Sequence, residues 1–141
     1  MRQLTAPYGV ISLVGNAKNA GKTTALNAII ESWPDKKLAV TSIGLDGEDL
    51  DAISRLPKPR IRLPAGCLAA TAEECLSHSG ISWQVVQRTG IRPGMGDIVI
   101  VEVTSPGNCL VGGPSTVTAM EQVVDALKSL GAQKVLIDGA F

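Results

Sequence analysis

Four short apolar runs set the limits on this fold: Tyr8–Val14, Leu38–Ile43, Asp97–Val103 and Lys134–Asp138. The third, DIVIVEV, is polar only at Asp97 and Glu102. A run this apolar needs cover on both faces, as parallel strands joined by helical crossovers receive it. Helical segments do lie between the runs. Thr24–Trp33 places Leu26, Ile29, Ile30 and Trp33 at the spacing of one helical face, and Pro34 ends it. Asp49–Leu56 reads as a second, short helix, stopped by Pro57 and Pro59. Thr71-Ala-Glu-Glu74 is a capping box opening a helix that ends near Gly80. Thr118-Ala-Met-Glu121 is another; its helix turns Met120, Val123, Val124, Leu127 and Leu130 inward and stops at Gly131. Trp83–Gln87 adds a strand, and Arg60–Leu63 alternates charged and apolar residues as an edge strand does. The expected class is α/β, with a mostly parallel sheet covered on both faces.

The chain has 141 residues and no repeat, low-complexity tract or linker, which predicts one domain over residues 1–141. It stops three residues past Asp138, where a doubly wound domain normally continues into a helix. The expectation is therefore the N-terminal part of something longer, or a last strand covered by a partner or a second copy. Aromatic residues are 3% of the chain, so Val, Ile, Leu and Ala must build the core. A formal net charge of zero supplies no field for nucleic acid or an anionic membrane surface. Three cysteines without a C-x-x-C fit a reducing cytoplasm better than a disulfide scaffold. No apolar run approaches the ~18 residues of a membrane span.

In a parallel sheet, ligands sit beyond the carboxyl ends of the strands. Gly15–Thr23, Gly44–Asp51, Thr104–Ser115 and Gly139 each follow a strand, and right-handed crossovers should gather them at one edge. The first of these segments carries the chemistry. It reads Gly15-Asn-Ala-Lys-Asn-Ala-Gly-Lys-Thr-Thr24 and closes on Gly21-Lys22-Thr23, the end of a P-loop. The pattern asks for glycine at position 16. Asn16 stands there, with Gly15 one place earlier, and asparagine tolerates the left-handed backbone better than other side chains. Backbone N–H groups over Asn16, Ala17, Lys18, Asn19, Ala20, Gly21, Lys22, Thr23 and Thr24 can cradle phosphate at the positive end of the following helix. Lys22 is the expected catalytic cation on the β- and γ-oxygens. The Thr23 hydroxyl is the expected Mg²⁺ ligand. The bland alternative is a glycine turn capping an ordinary helix. Together these readings predict a P-loop NTPase-like three-layer sandwich.

Three carboxylates are candidates to share that Mg²⁺ with Thr23. Asp46, first in DGEDLD, can hold the metal through water or respond to the γ-phosphate, which would also make it catalytic. The alternative is an acidic first turn that complements a helix dipole, the role given to Glu48, Asp49 and Asp51. Glu102 and Asp138 close apolar strands, where a carboxylate is costly unless it meets a cation; periodicity does not choose between them. Gly112-Gly-Pro-Ser115 precedes a helix and can take an anion or be only a turn. Lys58, Arg60 and Arg62 read as a solvated edge that resists strand pairing. Cys75 and His78, three apart on a helix, are a weak metal pair. No Asn-Lys-x-Asp is present, so guanine specificity is not readable here and that element could lie beyond Phe141; the expected nucleotide is ATP rather than GTP.

YGVISLVGNAKNAGKTT, GLDGE, RLPAGCLAATAEE and VLIDGAF together resemble the nucleotide-binding subunit of the reactivase for lysine 5,6-aminomutase, an enzyme dependent on cobalamin and pyridoxal phosphate. The likeness spans most of the chain. The run Lys-Asn-Ala-Gly-Lys-Thr-Thr is also similar to loops of the molybdopterin-guanine-dinucleotide accessory proteins. Lys18 does not occupy the signature-lysine position of the deviant Walker ATPases. The reactivase resemblance implies ATP (or GTP) with Mg²⁺, an NTPase activity, and a chaperone-like role. It further implies two partners: a second reactivase subunit and the cobalamin-dependent aminomutase that the pair frees of damaged cofactor. Two other functions fit the loop. One is a small-molecule kinase or ligase of the dethiobiotin-synthetase type. The other is a non-hydrolytic nucleotide-binding accessory module in cofactor biosynthesis or delivery.

Overall fold

The structure, a computed structural model, describes residues 2–15, 21–43, 60–92 and 96–139. In chain order these residues form α1 (Arg2–Thr5), β1 (Val10–Leu13), α2 (Lys22–Ser32), β2 (Leu38–Ser42), β3 (Ile61–Leu63), β4 (Leu68–Ala72), α3 (Glu73–Leu76), β5 (Ser82–Arg88), β6 (Ile98–Ser105), β7 (Gly107–Cys109), α4 (Val117–Ser129) and β8 (Lys134–Asp138). Six strands make the main sheet in the order β1-β8-β2-β4-β6-β5. The first four run parallel; β6 is antiparallel to β4, and β5 is antiparallel to β6. The fold is α/β with a mostly parallel sheet.

Successive side chains of the central strands point to opposite faces, and each face has its own core. Leu38, Val40, Ala69, Val99, Val101 and Leu136 belong to one cluster, completed by Leu26, Ile29, Ile30 and Trp33 of α2 and its flank. Ile61, Leu63 and Cys109, from the two-stranded ribbon of β3 and β7, join the same side. Ala39, Leu68, Ala70, Ile98, Ile100, Val135 and Ile137 face the other way, against Val123 and Leu127 of α4. β2 and β4 are buried at every position, as strands covered on both sides must be.

Several expectations are corrected. β6 runs against the parallel strands: it pairs antiparallel with β4 on one side and with β5, the strand that precedes it in the chain, on the other. Leu68–Ala72, rich in alanine, is a strand that the apolar pattern did not announce. Thr71 therefore does not cap a helix: it lies in β4, its hydroxyl accepts from Gly112 N at 2.9 Å, and Ala72 is the N-cap of α3. The cap of α4 is Thr116, whose hydroxyl accepts from Ala119 N at 3.2 Å, two residues before the expected Thr118. Gly131, with φ 97°, follows that helix as expected. Arg60–Leu63 does contribute a strand, but its β3 pairs with β7 in the separate ribbon, not at the edge of the main sheet. The helix expected over Asp49–Leu56 lies outside the described residues.

The N-terminal segment is tied down by one ammonium. Lys134 is buried at the start of β8, and its Nζ donates to Thr5 O (2.9 Å), Ala6 O (3.2 Å) and Tyr8 O (2.8 Å). It also lies 4.4 Å from the Trp33 ring centroid, and Trp33 Nε1 donates to Thr5 Oγ1 at 2.9 Å. Three acceptors satisfy all three donors, which is what allows a charge to be buried there. No helix of the described residues is long and apolar enough to cross a membrane.

Candidate functional site

α2 begins at Lys22, directly after Gly21, whose φ of 79° is left-handed. Glycine takes that conformation without strain and brings no side chain over the helix end. The first intrahelical bond in this turn is Ala25 N to Gly21 O at 2.9 Å, so the N–H groups just before it point out of the helix. The first turn of α2 has no acidic residue, and its N-cap, Gly21, has no side-chain hydrogen bond.

Lys22 bridges this helix start to the end of β8. Its Nζ donates to Gly139 O and lies 3.7 Å from Asp138 Oδ1, with both side chains mostly buried. Register explains the meeting. Leu13, the last residue of β1, pairs with Asp138, and Ser42, the last of β2, pairs with Asp138 from the other side. Gly139 N donates to Leu13 O (2.8 Å), and Ile43 N donates to Asp138 O (3.0 Å). The ends of β1, β8 and β2 therefore close on one another beside the start of α2. A Cβ on Gly139 would stand 2.6 Å from Leu13 O, so only glycine allows this approach.

The segment after β7 crosses the same edge. Gly113 N donates to Ser42 Oγ (3.2 Å), and Ser42 Oγ donates to Val111 O (2.9 Å). Gly112 N is taken by Thr71 Oγ1. In the Gly112–Ser115 turn the Gly112 and Gly113 amides are spent on strand hydroxyls and Pro114 has no N–H, so the start of the turn braces the edge.

The structure thus brings Gly21, Lys22, Thr23, Thr24 and Asp138 to one end of the sheet; Thr23 is half-buried and Thr24 exposed. It separates Glu102 from them. Glu102 pairs in register with Leu68, the first residue of β4, which is the opposite edge. There its Oε1 accepts from Lys37 Nζ at 2.7 Å. Glu102 is no partner of Thr23 for Mg²⁺, and the reason is the reversed direction of β6. Asn16, Ala17, Lys18, Asn19, Ala20 and Asp46 lie outside the described residues. Gly139 was already among the strand-following positions expected at this edge. Ser42 is the site-building residue that motif reading passed over, and it carried no signal.

Other candidates fall away. Cys75 is a buried thiol pushed up from its ordinary pKa by desolvation, and His78 gives its carbonyl to Arg60. Among the described residues no group of three or more His, Cys, Asp or Glu side chains is placed to hold a metal. A cavity of about 410 Å³ lined by Arg2, Trp33, Lys36 and Lys134 opens on the opposite edge, where the Lys134 ammonium is already committed to three carbonyls. No family model, curated protein or solved structure matches the chain.

Proposed function

We propose that this chain is a P-loop nucleotide-binding domain that takes ATP at the start of α2 and acts as the nucleotide-binding subunit of a reactivase for a cobalamin-dependent aminomutase. One observation carries the binding part: a helix N-terminus with no acidic residue in its first turn and no side-chain cap, with Lys22 in it, meets the joined ends of β1 and β8. Exposed N–H groups, a helix dipole and an ammonium all favour a polyphosphate there. Lys22, now on Gly139 O, would exchange that neutral carbonyl for β- and γ-oxygens. Thr23 and Asp138 offer a hydroxyl and a carboxylate, the hard oxygen donors that suit Mg²⁺, with Asp46 as a further candidate. Bound Mg²⁺ would supply neutralising charge to the phosphates; the chain's own part is to orient them against α2. The reactivase role rests on the sequence resemblance, with a second subunit and the aminomutase as partners. A cytoplasmic setting fits three buried free thiols.

The test of the role is reconstitution. The complete protein is mixed with its sister subunit and an aminomutase inactivated by damaged cobalamin. Activity should return with ATP and Mg²⁺, and fail to return without ATP or with Lys22→Ala. Equal recovery in all three mixtures overturns the role. A phosphorylated small-molecule product would instead select the kinase or ligase reading.

A further inference from the structure

The far edge of the sheet carries a second message, independent of the nucleotide reading. β5 is the last strand of the sheet among the described residues, and all seven of its residues are exposed. Trp83, Val85 and Val86 are each about two-fifths accessible, at 38%, 40% and 44%. The strand, SWQVVQR, has one charge, Arg88, already engaged by Glu73 at 3.1 and 3.2 Å. It has no proline and no lysine, the residues that usually blunt an open edge.

The register of β5 says what such an edge fits. Trp83, Val85 and Arg88 stand opposite Val103, Val101 and Val99, and so share one face. Gln84 and Gln87 stand opposite Glu102 and Ile100, on the other face. Residues three or five apart in a regular strand would lie on opposite faces. The shift between Val85 and Gln87 makes Val86 an extra residue and brings each of these pairs onto one face. An antiparallel strand paired with its own copy about a two-fold axis needs this property, because the axis stands perpendicular to the sheet and preserves faces.

We propose that β5 pairs antiparallel with β5 of a second copy of this chain, with Trp83 opposite Arg88, Gln84 opposite Gln87, and Val85 and Val86 at the axis. A guanidinium then meets an indole, an amide meets an amide, and valines meet valines, each twice. In that register the run Trp-Gln-Val-Val-Gln-Arg sets amide against amide and valine against valine, a match that favours a second copy of the same strand. The pairing would continue the sheet across the two copies and cover the apolar edge.

Sedimentation of the full chain tests it. The wild-type protein should read the mass of two chains. Gln84→Lys with Gln87→Lys sets like charges opposite each other across the axis and should leave a monomer. Gln84→Lys with Gln87→Glu sets opposite charges there and should keep the dimer. All three substitutions are at exposed positions, and unchanged far-ultraviolet circular dichroism checks the fold. A monomeric wild type, which would leave the edge to another kind of partner, overturns the proposal. So does a dimer that the double lysine variant leaves intact, or one that the Lys/Glu variant loses.

Discussion

Gly113 and Cys67 show how much of this molecule is settled by single atoms. A Cβ on Gly113 would stand 1.9 Å from Ser42 O and 2.7 Å from Thr41 Oγ1. Both neighbours are held in the sheet, so the turn would have to move. Gly113→Ala should destabilise the fold by about 1–3 kcal/mol, the usual cost of overpacking. Urea unfolding reads this as a lower midpoint at unchanged slope; an unchanged midpoint contradicts the brace. Cys67 makes a different point. Burial pushes its thiol from the ordinary 9.0 up to about 12. The unfolded chain therefore loses this proton first as pH rises. The stability this thiol contributes is complete below pH 9.0 and is lost progressively as pH climbs toward about 12. Urea midpoints measured across that range should fall more steeply for the wild type than for Cys67→Ala; parallel curves would contradict the assignment. At this scale the sequence was partly legible. Lys22 was named from the Gly-Lys-Thr motif and Asp138 from its place at a strand end, and the structure sets them 3.7 Å apart. Glu102 looked equivalent to Asp138, and only strand direction separates them.

Strands and helices were legible where the apolar pattern was strong and misread where small residues blurred it. The runs at Tyr8–Val14, Leu38–Ile43 and Lys134–Asp138 became β1, β2 and β8 with ends shifted by at most two residues. Leu68–Ala72 escaped because alanine has little strand preference and because Thr71 and Glu74 mimic a capping box. Gly107–Cys109 escaped because three residues carry no period. The capping error at α4 can be measured. Thr116→Ala should cost about 1 kcal/mol, since it removes the acceptor of the Ala119 N–H. Thr118→Ala, inside the first turn, should cost distinctly less in the same denaturation experiment. Equal costs would mean that Thr116 does not act as the cap.

For the whole molecule, alternation of apolar strands with helices announced the α/β class, and burial of β2 and β4 on both faces is its physical basis. What no period can carry is direction. A hydrophobic strand reads the same whether it runs with its neighbour or against it, so the antiparallel turn into β6 was invisible. The gathering of strand ends was legible for β1, β2 and β8, because their parallel register brings Leu13, Ser42 and Asp138 level with one another. The central claim is that this shared edge, at the start of α2, binds the phosphates of a nucleotide. Calorimetric titration of ATP into the protein with and without Mg²⁺, for the wild type and for Lys22→Ala, tests it most directly. Loss of a charge-assisted contact should weaken binding by about 1.5–3 kcal/mol, a tenfold drop or more. A folded Lys22→Ala protein that binds ATP as well as the wild type, or a wild type that takes up no ATP, would contradict it.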